Sequence, residues 1–207
     1  MVLSSAEIQS WNTRYQGESY LFGETPNAFL AAQRKWLRPG EKALAVADGE
    51  GRNGVWLAGQ GLDVLSIDAS TVAQGKARRL AELHAVKMRF ACVDLSQWVF
   101  PEAEFDVIAA IFIQFAGPAL RSELFKGMKQ ALRPGGRLVV QGYGPEQLQF
   151  GTGGPRLVEN LYTESMLREA FADMEILVLN SHESVIEEGS GHRGMSALID
   201  LVARKAG

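Results

Sequence analysis

The sequence predicts an α/β fold: a single domain on a mainly parallel seven-stranded sheet, with helices on both faces and an antiparallel hairpin at its C-terminal end. Three observations carry this. A short apolar run, Ala43-Leu44-Ala45-Val46-Ala47, stops in the glycine-rich stretch Asp48-Gly49-Glu50-Gly51-Arg52-Asn53-Gly54. From there on, apolar runs of strand length alternate with amphipathic segments of helix length. In the last third two apolar runs follow one another with no helical segment between them, which favours antiparallel pairing.

Each element has its own signal. The first strand is expected at 43–48, with a crossover helix over 53–60 and a second strand at 62–68 that ends in Asp68. Ser70 suits an N-cap and opens a helix through Leu80 and Leu83, with Lys76, Arg78 and Arg79 as its solvated face. A third strand is expected at 87–93, with Cys92 buried among Phe90, Ala91 and Val93, and a fourth at 105–111. Leu120, Leu124, Phe125, Met128 and Leu132 recur at helical spacing, and Arg133-Pro134-Gly135-Gly136 should end that helix before a fifth strand at 136–142. The glycine-rich stretch 149–155 reads as a loop. Thr163 caps a helix whose inner face is Met166, Leu167, Ala170 and Phe171, and strands at 174–179 and 196–203 close the sheet.

The totals set bounds. A chain of 207 residues supports one domain with a sizeable core and is short for two. It is expected to divide into an N-terminal segment (1–34), a ligand-binding core (35–145) and a C-terminal substrate-side region (146–207). An apolar fraction of 46% and a charged fraction of 22% are those of a globular protein and exclude wholesale disorder. Net charge is −3 and no basic stripe forms, so no nucleic-acid partner is expected. The lone Cys92 excludes an intramolecular disulfide and a multi-cysteine metal site, and no metal is expected. The stretch 1–15 has no cationic-then-apolar pattern and 107–113 is the longest apolar run, so neither a signal nor a membrane association is expected, and the location is taken as cytoplasmic.

In an open α/β sheet, ligands lie across the carboxyl ends of the strands where strand order reverses, so the turn after the first strand is the first candidate site. Gly49, Gly51 and Gly54 satisfy the G-x-G-x-x-G spacing, and Asp68 stands nineteen residues beyond Gly49, where a ribose-binding acid is expected. The residues alone leave open an NAD-dependent oxidoreductase and a turn that merely makes a tight connection.

The order of motifs resembles the class I S-adenosylmethionine-dependent methyltransferases over nearly the whole chain. The glycine turn matches their first motif, and Asp68 closes the second strand. Val93-Asp94-Leu95 closes the third, Phe105-Asp106-Val107-Ile108 opens the fourth, and Leu132-Arg133-Pro134-Gly135-Gly136 precedes the fifth. The resemblance implies a Rossmann-like methyltransferase fold with S-adenosyl-L-methionine as cofactor. In it, Gly49 and Gly51 let the backbone approach the methionine part and Asp68 accepts from the ribose hydroxyls. Asp94 accepts from the adenine amino group, and Leu95 or Trp98 packs on the ring. Ala47, Asp48, Asn53, Ala69, Ile111 and Gln114 complete the implied cofactor contacts.

Both ends narrow the resemblance. Trp11, Tyr15, Tyr20, Phe22, Gly23 and Pro26-Asn27, with Glu187-Glu188-Gly189, His192 and Gly194, resemble the branch holding the tellurite-resistance and thiopurine methyltransferases. In that branch the N-terminal segment covers the cofactor, so Trp11, Tyr15, Tyr20 and Phe22 are implied cofactor contacts. His192, Glu188 and Tyr143 are the expected catalytic residues, with His182 a further candidate at the open end of the sheet. The implied partner is a small-molecule methyl acceptor, such as a thiol or a species derived from a metalloid oxyanion.

Three departures fall at the centre of the implied site. Ala45 stands where the family carries an acid, Ala47 where it carries glycine, and Gln114 where close relatives often carry histidine. A missing buried carboxylate costs about 1–3 kcal/mol of cofactor affinity, and Asp48 is the candidate substitute. The departures keep a second reading open, an S-adenosylmethionine-binding protein without transferase activity.

Overall fold

The computed structural model describes residues 5–207; residues 1–4, where the expected N-terminal segment begins, lie outside the described residues. Five strands run parallel: β1 (Lys42–Val46), β2 (Asp63–Asp68), β3 (Arg89–Cys92), β4 (Phe105–Ile111) and β5 (Leu132–Tyr143). β6 (Met174–Glu188) and β7 (His192–Lys205) form an antiparallel hairpin, and β7 pairs with β5, giving the order β3-β2-β1-β4-β5-β7-β6. Strand order reverses between β1 and β4, which opens a crevice at their carboxyl ends.

Seven helices accompany the sheet among the described residues: α1 (Ser5–Arg14), α2 (Ala28–Ala32), α3 (Arg52–Gly59), α4 (Thr71–Leu83), α5 (Pro118–Ala131), α6 (Gln147–Phe150) and α7 (Glu164–Ala170). Side chains alternate across the central strands, so each strand feeds two cores. Ile108 and Ala110 pack with Leu124, Phe125 and Met128 of α5 and with Leu167 of α7, whereas Val107 and Ala109 pack with Leu30 of α2 and Leu57 of α3. Both faces are therefore covered, which is why the central strands read as unbroken apolar runs.

Several expectations need correction. Arg133-Pro134-Gly135-Gly136 does not end a helix ahead of β5 but lies within that strand. Leu132 pairs with Phe105, pairing resumes at Arg137 with Val107, and the four residues bulge between. The closing hairpin is longer than its apolar stretches: the mostly polar residues 180–188 pair in register with 192–200 of β7, out to a last pair between Glu188 and His192. Cys92 is exposed, since β3 is the edge of the sheet and leaves that face uncovered.

Lys76 is the largest departure. Instead of joining a solvated face, its side chain is 3% exposed and ion-pairs with the equally buried Glu50 of the glycine turn. Its ammonium also donates to the carbonyls of Gly17 (2.9 Å) and Ser19 (2.7 Å) and lies 4.9 Å from the centre of the Tyr20 ring. Ala73, Lys76, Ala77 and Leu80 are buried together on one stripe of α4. Ala77 packs so closely on the turn that a Cβ on Gly51 would come within 2.6 Å of its methyl group. Replacing Lys76 by alanine would leave Glu50 buried and uncompensated. The expected loss is about 3–5 kcal/mol of stability in urea unfolding, and a loss below about 1 kcal/mol would contradict the role given to this pair.

Candidate active site

A cavity of about 330 Å³ lies at the carboxyl ends of β1, β2 and β4, beneath the N-terminal segment. Its floor is the strand-end backbone. Ala47 after β1 and Phe112 after β4 both take the left-handed conformation, with φ of 48° and 55°, and both line the cavity. Two non-glycine residues in that region on adjacent strands mark backbone held in place by its surroundings, at a cost of about 1–2 kcal/mol each.

On the β2 side, Asp68 accepts from the backbone N–H groups of Gly49 (2.9 Å) and Ser70 (2.8 Å) and lines the cavity with Ala69 and Leu95. Burial pushes its carboxyl above the usual range, while those N–H groups pull it back. Of the three glycines in the turn, only Gly49 lines the cavity. Gly51 makes room for α4, and Gly54 makes room for Asp48, whose Oδ2 would sit 2.4 Å from a Cβ there. Asp48 also lines the cavity. Its Oδ1 accepts from the Gly54 N–H (3.1 Å) and its Oδ2 from the Ser66 hydroxyl (2.8 Å).

The cover comes from α1 and the chain after it. Trp11 and Tyr15 stack with ring centres 5.7 Å apart, and Phe22 meets Tyr15 edge-on at 6.3 Å; all three line the cavity. Tyr20 does not, because its hydroxyl donates to the Lys76 carbonyl (3.1 Å). The cover is fastened to the hairpin turn by a bond from the Gly191 N–H to the Leu21 carbonyl (2.9 Å).

The opposite end is formed by β5 and the hairpin. His192 is buried among Phe22, Phe112 and Tyr143, with ring centres 4.4, 4.5 and 5.6 Å away. Burial lowers its pKa below the usual value, while the Glu188 carboxylate, 3.6 Å from Nδ1, raises it. Glu188 itself lies behind this wall. It accepts from Asn27 Nδ2 (2.8 Å) and Arg52 Nη2 (2.6 Å), and although burial disfavours its charge, His192 and Arg52 hold its pKa down to about 2.

Trp11, Tyr15, Phe22, Ala47, Asp48, Gly49, Asn53, Asp68, Ala69, Leu95, Ile111, Gln114, Tyr143 and His192 thus share one cavity. Tyr20, Gly51, Asp94 and Glu188 do not line it. Asp94 spends its carboxylate on Ser96 and Gln97, at 2.6–2.9 Å, in a local turn after β3. Gln114 lines the cavity but is also a clamp: it donates to the Tyr143 and Asn160 carbonyls and accepts from the Tyr143 N–H. His182 is elsewhere, paired with Asp200 at 2.9 Å. Sequence reasoning missed Arg52, which lines the cavity from the first turn of α3; a cation at that end opposes the helix dipole, and this was the available signal.

The family model described as a methyltransferase domain matches residues 43–136, from β1 into β5. Over these residues the chain is similar to a methyltransferase domain. Domains of this kind use S-adenosyl-L-methionine, and the match spans the glycine turn whose spacing alone also suited NAD. The demethylmenaquinone methyltransferase of Beutenbergia cavernae is 38% identical over 106 residues, which are 50% of this chain and 41% of that protein. The match therefore spans less than half of that relative. Among solved structures, similarity extends over 96% of this chain and 92% of a protein concerned with conversion of a disulfide bond into a thioacetal group in echinomycin biosynthesis (TM-score 0.75, 17% identity). TehB from Haemophilus influenzae is similar over 94% of this chain and 65% of its own (0.71, 20%). The N-methyltransferase NodS from Bradyrhizobium japonicum, in complex with S-adenosyl-L-homocysteine, is similar over 96% and 97% (0.69, 15%). At these identities the structural likenesses establish the fold.

Asp48 yields a pH prediction. Burial, the largest influence, raises its pKa from 3.8 to about 7 against the pull of Ser66 and Gly54. A raised folded pKa contributes stability that is full below the unfolded value and is lost as pH rises through about 7. The melting temperature should therefore be higher at about pH 5.5 than at pH 8, and Asp48→Asn should shrink that difference; an undiminished difference in the variant would assign it to other groups.

Proposed function

We propose that this protein is an S-adenosyl-L-methionine-dependent methyltransferase of the tellurite-resistance and thiopurine type, acting on a small-molecule acceptor such as a thiol or a metalloid-derived nucleophile. The observation that carries the reading is the two-ended cavity: ribose-type acceptor Asp68 and the glycine turn at one end, buried His192 and Tyr143 at the other, one aromatic cover over both. The residues present fit the cofactor. Asp68 satisfies two backbone N–H groups and still faces the cavity, and the Trp11–Tyr15 stack offers a flat apolar lid. A site closed by its own chain suits a small acceptor better than a macromolecule. The TehB likeness and the covering N-terminal segment support the branch.

Bound there, S-adenosyl-L-methionine supplies a methyl group made electrophilic by its sulfonium, so alignment is the main task left to the protein. Trp11, Tyr15 and Phe22 exclude water and hold the reactants together. Asp68 would accept from the ribose hydroxyls. His192, whose pKa burial lowers below the usual value, is the group on the wall suited to accept a proton. It takes the proton of an S–H or O–H acceptor; an acceptor already ionised needs none.

Calorimetry with S-adenosyl-L-methionine, S-adenosyl-L-homocysteine and NAD tests the cofactor. Micromolar binding of both sulfur ligands and none of NAD is expected; NAD binding alone would overturn the reading. Sulfur-ligand binding without turnover on any thiol would favour the non-transferring alternative, to which the missing carboxylate at Ala45 points. On a thiol acceptor, His192→Ala should lower kcat/KM about 10²-fold below the thiol's pKa, and the deficit should shrink above it. A deficit that does not vary with pH would remove His192 from the role of base.

A further inference from the structure

We propose that the acceptor end of the cavity is an anion site whose donors are Arg52 and Tyr143, and that the methyl acceptor therefore carries a carboxylate or similar oxyanion near its nucleophile. This rests on the methyltransferase reading above.

The site is built of buried groups left without partners. Arg52 is 7% exposed and Tyr143 1%, and both line the cavity. Arg52 spends Nη2 on Glu188, but its Nη1 is buried and has no hydrogen-bond partner; the Tyr143 hydroxyl is likewise buried and unpartnered. Such groups carry a desolvation cost that a ligand oxygen removes. A guanidinium nitrogen and a phenol hydroxyl are both donors here, so the complementary group is an acceptor, and the guanidinium charge selects an anion. The nearby carboxylate is already engaged: Glu188 accepts from Asn27 Nδ2 and Arg52 Nη2.

Two guanidinium groups stand on the cavity wall. Arg52 lines the cavity between the two ends, where its charge acts on Asp48 as well as on Tyr143 and His192, and Arg14 stacks on Trp11 at the cover, 4.3 Å from its ring centre. An anionic acceptor would thus meet donors on the cavity wall. Phe112, 4.7 Å from the Tyr143 ring, and Pro155 also line the cavity, so the body of the acceptor is compact and apolar.

The cofactor's own carboxylate is the competing occupant, and the test separates the two. Benzoate, a flat carboxylate, is titrated calorimetrically into protein saturated with S-adenosyl-L-homocysteine, with benzamide as the neutral counterpart. Benzoate should bind about tenfold more tightly than benzamide. Tyr143→Phe, which keeps the ring and its packing, should weaken benzoate about threefold or more. Arg52→Lys, which keeps a charge for Glu188, should weaken it about tenfold, and S-adenosyl-L-homocysteine affinity should stay within about twofold in both. Equal binding of benzoate and benzamide, no benzoate binding, or variants that lose S-adenosyl-L-homocysteine and keep benzoate would each overturn the proposal. Failure of the unaltered protein to bind S-adenosyl-L-homocysteine at all would instead defeat the methyltransferase reading.

Discussion

The ion pair between Glu50 and Lys76 is the interaction on which the site depends. Glu50 sits in the glycine turn after β1, and it is buried because three things converge on it. Lys76 approaches from α4, the Leu21 N–H donates to it from the covering segment at 2.7 Å, and Gly51 beside it lets α4 come close. Two charges this deep are costly to desolvate and offer little net stability against an apolar substitute. What they provide is geometry: Lys76 also collects the carbonyls of Gly17 and Ser19, so the chain leading to the cover is tied to the turn it covers.

A second polar network ties the other edge of the cover. Asn27, the N-cap of α2, accepts from the Leu30 N–H, donates from Nδ2 to Gln141 and Glu188, and donates its backbone N–H to Asn53. Gln141 continues to Asp200, and Asp200 to His182. Every donor of the Asn27 amide is used, so the N-terminal segment, the first turn of α3, β5 and the hairpin are fixed in one register. Gly189 completes the seam, since a Cβ there would come within 2.4 Å of the Leu21 carbonyl.

Apolar runs bounded by turns made the parallel strands and the antiparallel closure legible, because strands buried on both faces leave a continuous signal. The tip of the hairpin was not, since its residues from Asn180 to Glu188 are mostly polar and gain their order from pairing with β7. Asp68, the glycine turn and His192 could be singled out from residue type and position. Lys76 could not be placed by charge alone: its burial follows from sharing a stripe with Ala73, Ala77 and Leu80, and its partner is 26 residues away. Gly51 and Gly54 match a nucleotide spacing yet serve helix packing and the Asp48 carboxylate, a distinction that spacing cannot make. The roles of Glu188 and Arg52 depend on a contact across 136 residues, which no local pattern records.

If the glycine turn holds the ligand as it holds the cover, occupying the site steadies the two together. Amide hydrogen exchange with and without S-adenosyl-L-homocysteine tests this most directly. The account predicts that residues 11–29 and the hairpin turn at 187–193 slow in step with 47–53 when the ligand is added. Slowing confined to 47–53, with the covering segment and hairpin unchanged, would contradict it.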